Sequence, residues 1–155
     1  RYGGTVPEDL IATRLSAEVR WLVVGSPAYF ERHGTPVHPL DLRDHRCLRI
    51  RLGNDQMYSW EFDKDGEDIV LDVPGALTIN DTQLALTLAA NGTALAYLPA
   101  HSVDALVARG ELQVALADWT SAGPAFHIYY SGRRQLPTAL RLLIDLIREL
   151  RPLGY

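Results

Sequence analysis

The 155-residue sequence contains a single cysteine, Cys47, so it cannot form an internal disulfide bond. A lone cysteine is typical of a protein that folds in the reducing cytoplasm. Long apolar runs are also lacking, and none approaches the roughly 18–20 residues that a membrane-spanning helix needs. Residues 1–4 (Arg-Tyr-Gly-Gly) are not followed by the apolar core of a signal peptide. These absences predict a cytoplasmic protein without a membrane partner.

Basic charge is in short supply. The chain has 15 Lys and Arg against 19 Asp and Glu, which gives a formal net charge of −4. A surface that binds DNA is more often basic, because it must neutralise phosphates. The sequence also has no glycine-rich phosphate loop of the expected spacing. We therefore expect that this chain does not bind nucleic acid by its own surface.

Strand-like and helix-like segments alternate along the chain, and the length fits one domain or two small lobes. This alternation predicts an α/β fold with a mainly parallel sheet that includes an antiparallel hairpin, which turns at Lys64-Asp65-Gly66-Glu67, where glycine suits a positive φ. The predicted strands are 19–25, 47–52, 60–63, 68–73, 76–79, 94–98, 112–116 and 126–131, the predicted helices are 28–33, 40–45, 82–90, 102–109 and 138–151, and 1–13 and 54–59 are predicted loops.

The passage from Val24 to Arg49, VGSPAYFERHGTPVHPLDLRDHRCLR, is the most informative part of the sequence. Ser26 can cap a helix through its hydroxyl, and Pro27 suits the first helical position because it has no N–H to satisfy. Gly34 ends this short helix. The helix start therefore offers free backbone N–H groups and a hydroxyl, which can hold an anionic small molecule.

This passage resembles the effector-binding domain of LysR-type transcriptional regulators, in which a "V-A-S-P-x-Y-L…H-G…P…P-x-D-L…H-x-C" pattern recurs. Further fragments follow in the family's order, and their order and spacing together are specific. They are Trp60-x-Phe62, Ile79-Asn80-Asp81, Ala90-x-Gly92, Tyr97-Leu98-Pro99, Gly110-x-Leu112, Asp118-Trp119, Tyr129-Tyr130 and Arg133-Arg134-Gln135.

The resemblance implies a two-lobed, periplasmic-binding-protein-like (type 2) α/β fold, with the effector in a cleft between the lobes. Residues 1–25 would form a partial first lobe and a crossover strand, residues 26–125 a complete second lobe, and residues 126–155 the return strand and the last helix. The family's first lobe begins with segments that this sequence lacks. The last helix, whose apolar face is predicted at Leu140, Leu143, Ile144, Ile147 and Leu150, would then expose apolar surface.

The resemblance also implies ligand-binding positions. The turn Asn80-Asp81-Thr82 would line the cleft, where its N–H groups and the Thr82 hydroxyl could bind a carboxylate, although the Asp81 side chain would repel an anion. The other candidates are Ser26 after the crossover, Arg1 and Gly3 of an "R-x-G" strand, and Tyr130 on the return strand. The alternative at Ser26 and at Asp81 is an ordinary helix cap.

We predict no catalytic residue, no metal and no cofactor. His33, His38, His45 and Cys47 match no compact zinc spacing. Ser26 lacks the following glycine of a hydrolase elbow.

The prediction is therefore an effector-sensing domain of a bacterial LysR-type regulator that is not an enzyme and binds a small, anionic organic molecule. The resemblance implies a homo-oligomer, dimer or tetramer, that contacts DNA only through an N-terminal winged helix-turn-helix outside this sequence. The alternative is a solute-binding protein of a transport system with the same fold. An enzyme on this fold would need a catalytic pair that we do not find.

Overall fold

A computed structural model describes residues 10–52, 55–131 and 136–151 of the chain. The chain divides into two compact units, unit 1 (residues 1–19 and 122–155) and unit 2 (residues 20–121). In chain order the elements are β1 (Leu10–Arg14), β2 (Val19–Gly25), α1 (Pro27–His33), the 3-10 helix η1 (Pro39–Asp44), β3 (Leu48–Arg51), β4 (Met57–Tyr58), β5 (Trp60–Lys64), β6 (Glu67–Leu71), β7 (Leu77–Ile79), α2 (Thr82–Ala90), β8 (Ala96–Pro99), α3 (Ala100–Ala108), β9 (Gln113–Ala115), β10 (Ala122–Gly123), β11 (His127–Ser131) and α4 (Thr138–Leu150).

The strand pairings of unit 2 are mostly antiparallel, so the prediction of a mainly parallel sheet is wrong. Strand β2 runs antiparallel to both β8 and β9, and β3 runs antiparallel to β4 but parallel to β7. The N–H of Leu48 donates to the Leu95 carbonyl and the N–H of Leu95 donates to the Arg46 carbonyl, each at 2.8 Å. These bonds form the bridge between Cys47 and Leu95, which connects the sheet of β4, β3 and β7 to the sheet that contains β2, β8 and β9.

Both faces of the sheet that contains β2 and β8 are buried. Along β2, Val23 packs with α1 residues on one face, whereas Leu22 and Val24 pack with residues of α2 and α3 on the other. Burial on both faces explains why β8 and residues 22–25 of β2 form continuous apolar runs rather than alternating ones. The buried positions of α2 and α3 include Ala85, Ala89 and Val103, whose small or branched side chains let the helices approach the strands closely.

Local chemistry predicted several elements correctly. Helix α2 has the predicted bounds, and β2 has the predicted bounds. The hairpin β5–β6 turns at Asp65 and Gly66, which both have positive φ (53° and 84°), and this matches the glycine that the sequence places there. Two strands were predicted as loops, namely β1 and β4, because each is short and gains its structure from a partner strand, β11 and β3.

Two aspartates lie opposite each other on the two strands of this hairpin. Asp63 lies opposite Asp68, and a side-chain hydrogen bond to Asp68 raises the pKa of Asp63. A raised pKa means that protonation is favoured in the folded state, so this pair contributes more stability as the pH falls through the raised pKa. At neutral pH the two carboxylates repel each other.

We expect Asp68→Asn to raise the melting temperature slightly at pH 7, because it removes the like charge opposite Asp63. The gain should shrink as the pH is lowered through the raised pKa of Asp63, where a proton already relieves the repulsion. Thermal unfolding followed by circular dichroism at several pH values measures this difference. Asp104→Asn, at an exposed position of α3, is the matched control. A gain that is the same at every pH would contradict the explanation.

In unit 1, β1 pairs antiparallel with β11 from Leu10 opposite Ser131 to Arg14 opposite His127. Helix α4 buries Ile144, but Leu143 and Leu150 of the predicted buried face are exposed, as are Leu142 and Leu146. The prediction that Leu143 and Leu150 are buried was therefore wrong. The prediction that the helix exposes apolar surface is confirmed.

Candidate functional site

Two strand-to-helix turns in unit 2 carry four of the predicted ligand-binding residues. Strand β2 ends at Gly25 and α1 begins at Pro27, so Ser26 is the connecting residue. Strand β7 ends at Ile79 and α2 begins at Thr82, so Asn80 and Asp81 connect them. Each turn presents the first N–H groups of a helix, which have no acceptor within the helix.

The side chain of Ser26 is already used inside unit 2. It is 3% exposed, and its Oγ accepts a hydrogen bond from the N–H of Tyr29 at 3.1 Å, as predicted for a helix cap. Gly92, with φ of 70°, lies against this cap, and a Cβ at position 92 would be 2.9 Å from Ser26 Oγ. The hydroxyl is therefore directed into the protein, and its role toward a ligand stays a prediction.

The second turn is open to solvent. Asn80, Asp81 and Thr82 are all exposed. Asp81 is the cap, since its Oδ1 accepts from the N–H of Leu84 at 2.7 Å. A carboxylate at this end also complements the helix dipole. The turn can therefore offer a ligand the hydroxyl of Thr82 and the first N–H groups that Asp81 does not bind, but any anion bound there lies beside a negative charge.

The remaining predicted residues are not in these turns. Tyr130 lies on β11 in unit 1, where it is half-buried and its hydroxyl is 3.3 Å from Thr13 Oγ1. Arg1 and Gly3 lie outside the described residues. The structure thus groups Ser26, Asn80, Asp81 and Thr82 in the turns of unit 2, and it places Tyr130 in the antiparallel ribbon of unit 1.

The residues that first suggested a metal site form a different arrangement. Tyr29 is fully buried, and its hydroxyl accepts from the N–H of Arg46 at 2.9 Å and lies 3.2 Å from His45 Nδ1. Burial, together with the neighbouring His33, lowers the pKa of His45. Burial raises the pKa of the Cys47 thiol to about 12, so at neutral pH it is not the thiolate that a metal binds. Within residues 10–52, 55–131 and 136–151 no group of three metal-ligating side chains converges.

Sequence reasoning missed a cleft in unit 2. Residues 43–47, 74–77 and 93–94 line a concavity of about 460 Å³. Its only signal in the sequence is the pair of arginines, Arg43 in the last turn of η1 and Arg46 just after it. The three segments are far apart along the chain, and only the folded structure brings them together.

Comparison with solved structures defines the class. The regulatory domain of CrgA, a LysR-type transcriptional regulator from Neisseria meningitidis, matches with a TM-score of 0.82 and 26% identity over 97% of this chain and 72% of that chain. The fold is therefore that of a periplasmic-binding-protein-like regulatory domain, as the sequence predicted. The family model "LysR substrate binding domain" matches residues 1–152, and the chain belongs to this family.

Curated relatives agree with this assignment. The chain is 31% identical over 149 residues to the HTH-type transcriptional regulator PgrR of Escherichia coli K12, covering 96% of this chain and 50% of PgrR. It is 30% identical over 148 residues to YcaN, another HTH-type regulator of that organism, covering 96% of this chain and 48% of YcaN. The chain thus spans about half the length of these relatives. Since they are regulators, they confirm that the domain is not an enzyme, and they do not favour the transport alternative.

In the described part of the chain, no helix is both long enough and apolar enough to cross a membrane.

Proposed function

We propose that this effector-binding domain senses a small organic anion and controls transcription from within the cytoplasm. The observation that carries the proposal is the solvent-exposed turn at Asn80–Thr82, at the N-terminus of α2 in a domain whose family binds effectors. The free N–H groups of the first turn and the hydroxyl of Thr82 are donors, and donors at a helix N-terminus favour anions. Ser26, Tyr130, Arg1 and Gly3 are the further contacts proposed.

In this proposal, DNA is contacted by a separate helix-turn-helix segment. The relatives are about twice as long as this chain and are described as HTH-type regulators, and the net charge of −4 does not favour DNA binding by this domain. We further propose that the protein acts as a homo-oligomer, a dimer or tetramer. Effector binding would favour one conformation of the protein, and the effector can shift the equilibrium only by its differential affinity for the two states.

The turn at Asp81 allows a direct test of the sign of the effector's charge. Asp81→Asn keeps the cap, since Asn and Asp cap helices equally well, but it removes the negative charge. An anionic effector should then bind about three- to fivefold more tightly, which corresponds to roughly 1 kcal/mol for an exposed charge. A panel of small organic acids, from acetate and succinate to benzoate, is screened by thermal shift with the full chain, and the hits are titrated by calorimetry.

Thr82→Val completes the design. It removes the hydroxyl while keeping the shape, and we expect roughly tenfold weaker binding of the same acid. Thr87→Val is the matched control, because the exposed Thr87 hydroxyl donates to the Gln83 carbonyl of its own helix at 2.9 Å. The proposal fails if no acid in the panel raises the melting temperature, or if Asp81→Asn weakens binding of the acid that does.

A further inference from the structure

The cleft of unit 2 is preformed. Its walls are residues 43–47 at the end of η1 and just beyond it, residues 74–77 leading into β7, and residues 93–94 after α2. The N–H of Cys47 donates to the Pro74 carbonyl at 3.3 Å, which joins the first two walls. Leu48 pairs in parallel with Leu77, and the Leu95 N–H bonds to the Arg46 carbonyl, which fixes the third wall to the first. A ligand would therefore pay little ordering cost in the backbone.

Close packing at Gly75 also indicates that the cleft is preformed. A Cβ at this position would be only 2.0 Å from the Cys47 carbonyl oxygen, so the two walls touch through their backbones. The concavity above this contact has a volume of about 460 Å³. This lies within the range of about 300–1,000 Å³ that is usual for small-molecule sites.

The cleft has more positive than negative side chains. Arg43 and Arg46 line it, and the sole carboxylate among its lining residues is that of Asp44. In the described part of the chain, neither guanidinium takes part in an ion pair or a side-chain hydrogen bond. His45 also lines the cleft, and its Nδ1 is already engaged by the Tyr29 hydroxyl. Two arginines without a carboxylate partner leave several N–H donors free for an anion.

The rest of the lining is apolar or neutral. Ala76 and Leu77 form an apolar wall, and Leu77 is partly exposed at the cleft. Thr93 adds an exposed hydroxyl to the lining. A ligand that complements both the two arginines and this apolar wall carries one acidic group and a short apolar body.

We propose that this cleft is a second ligand site of the domain, which binds a small organic anion through Arg43 and Arg46 with its apolar body on Ala76 and Leu77. The site shares no residue with the turns at Ser26 and Asn80–Thr82. The inference therefore does not rest on the proposed effector site, and either can fail without the other.

The first experiment is an NMR titration of the full, isotope-labelled chain. Butyrate and glycerol 3-phosphate are the probes, and butyramide is the neutral control of the same shape as butyrate. We expect saturable shifts of the backbone amides at residues 75–77 and 93–94 with at least one of the two anions and not with butyramide. The two anions separate a carboxylate site from a phosphate site. Absence of saturable shifts with both anions, or equal shifts with butyramide, would overturn the proposal.

Variants then test the assigned contacts. Arg43→Gln and Arg46→Gln should each weaken binding of the active anion about tenfold, as expected for the loss of a charge-assisted hydrogen bond. Asp44→Asn should strengthen it. Arg141→Gln, at an exposed position of α4 in unit 1, is the matched control and should leave the affinity unchanged.

Ala76→Phe provides a test that keeps all charges. Ala76 is exposed, so the larger side chain can be accommodated at the surface, and it should block the apolar wall and abolish the shifts. Unchanged affinity in both arginine variants or in Ala76→Phe, with melting temperatures like that of the parent chain, would show that the anion binds elsewhere and would refute the assignment.

Discussion

Replacing Gly75 with alanine is expected to destabilise the protein by about 3 kcal/mol, at the upper end of the usual cost of overpacking. The added Cβ would lie 2.0 Å from the Cys47 carbonyl oxygen and 3.1 Å from its carbonyl carbon. These are backbone atoms, so no side-chain rotation can relieve the contact. The segment must move away, which would break the hydrogen bond from the Cys47 N–H to the Pro74 carbonyl. Urea unfolding followed by circular dichroism measures the loss.

Gly110→Ala is the control that separates steric from conformational cost. Gly110 has φ of 73°, but a Cβ there would meet nothing within 4 Å. The only cost of alanine at that position is therefore its left-handed backbone conformation, which destabilises the protein by about 1 kcal/mol. If Gly75→Ala is no more destabilising than Gly110→Ala, this result would contradict the close approach of Gly75 to the backbone of Cys47.

The sequence predicted best where the structure depends on neighbours along the chain. The cap at Ser26, the start of α2 at Thr82 and the turn at Asp65-Gly66 follow from local backbone chemistry, and the structure confirms all three. The predicted 40–45 helix is a 3-10 helix at Pro39–Asp44. This differs only in how tightly a short helix that begins at a proline is wound.

Features that depend on distant partners were missed or mispredicted. Strand β1 exists because it pairs with β11, more than a hundred residues later, and nothing within residues 10–14 reports that partner. Sheet direction failed for a related reason. Strand β2 pairs antiparallel with the much later β8 and β9, and nothing within residues 19–25 reports the direction of these partners.

The candidate site shows the same division. The sequence located the turn at Asn80–Thr82 and the capping role of Ser26, because both depend on residues next to a helix start. It could not show that Gly92 packs on the Ser26 cap and confines the hydroxyl to the interior. It could not show the second cleft either, since its walls come from three separate segments. Burial and concavity are properties of the packed structure, and a single sequence does not state them.

The core of unit 2 contains an aromatic group whose removal should have the largest effect on stability. The fully buried ring of Trp60 stacks on Tyr97 with a centroid distance of 5.2 Å, and Tyr97 in turn stacks on Trp21 at 5.2 Å. The Tyr97 hydroxyl donates to the Glu61 carbonyl at 2.6 Å, which fixes the central ring. Trp60→Ala should therefore lower the free energy of unfolding by about 4 kcal/mol, the usual cost of deleting a large buried ring.

Trp60→Phe separates the contribution of the aromatic ring to stability from that of the indole N–H group. The buried Nε1 of Trp60 has no hydrogen-bond partner among the described residues, so the indole carries a desolvation cost of roughly 1–3 kcal/mol. Phenylalanine keeps an aromatic ring on Tyr97 and removes the unpaired donor, and this gain offsets much of the lost packing. We expect a cost of about 1 kcal/mol or less for Trp60→Phe, far below that of Trp60→Ala.

The matched control is Val70→Ala, on the adjacent strand β6 of the same hairpin, where the side chain is exposed. It should change the free energy of unfolding by less than about 0.5 kcal/mol, as surface substitutions usually do. Equal costs for Trp60→Phe and Trp60→Ala would mean that the N–H of Trp60 makes a stabilising bond. This result would contradict the observation that the Trp60 Nε1 has no hydrogen-bond partner among the described residues, and it would remove the reason for expecting phenylalanine to be tolerated.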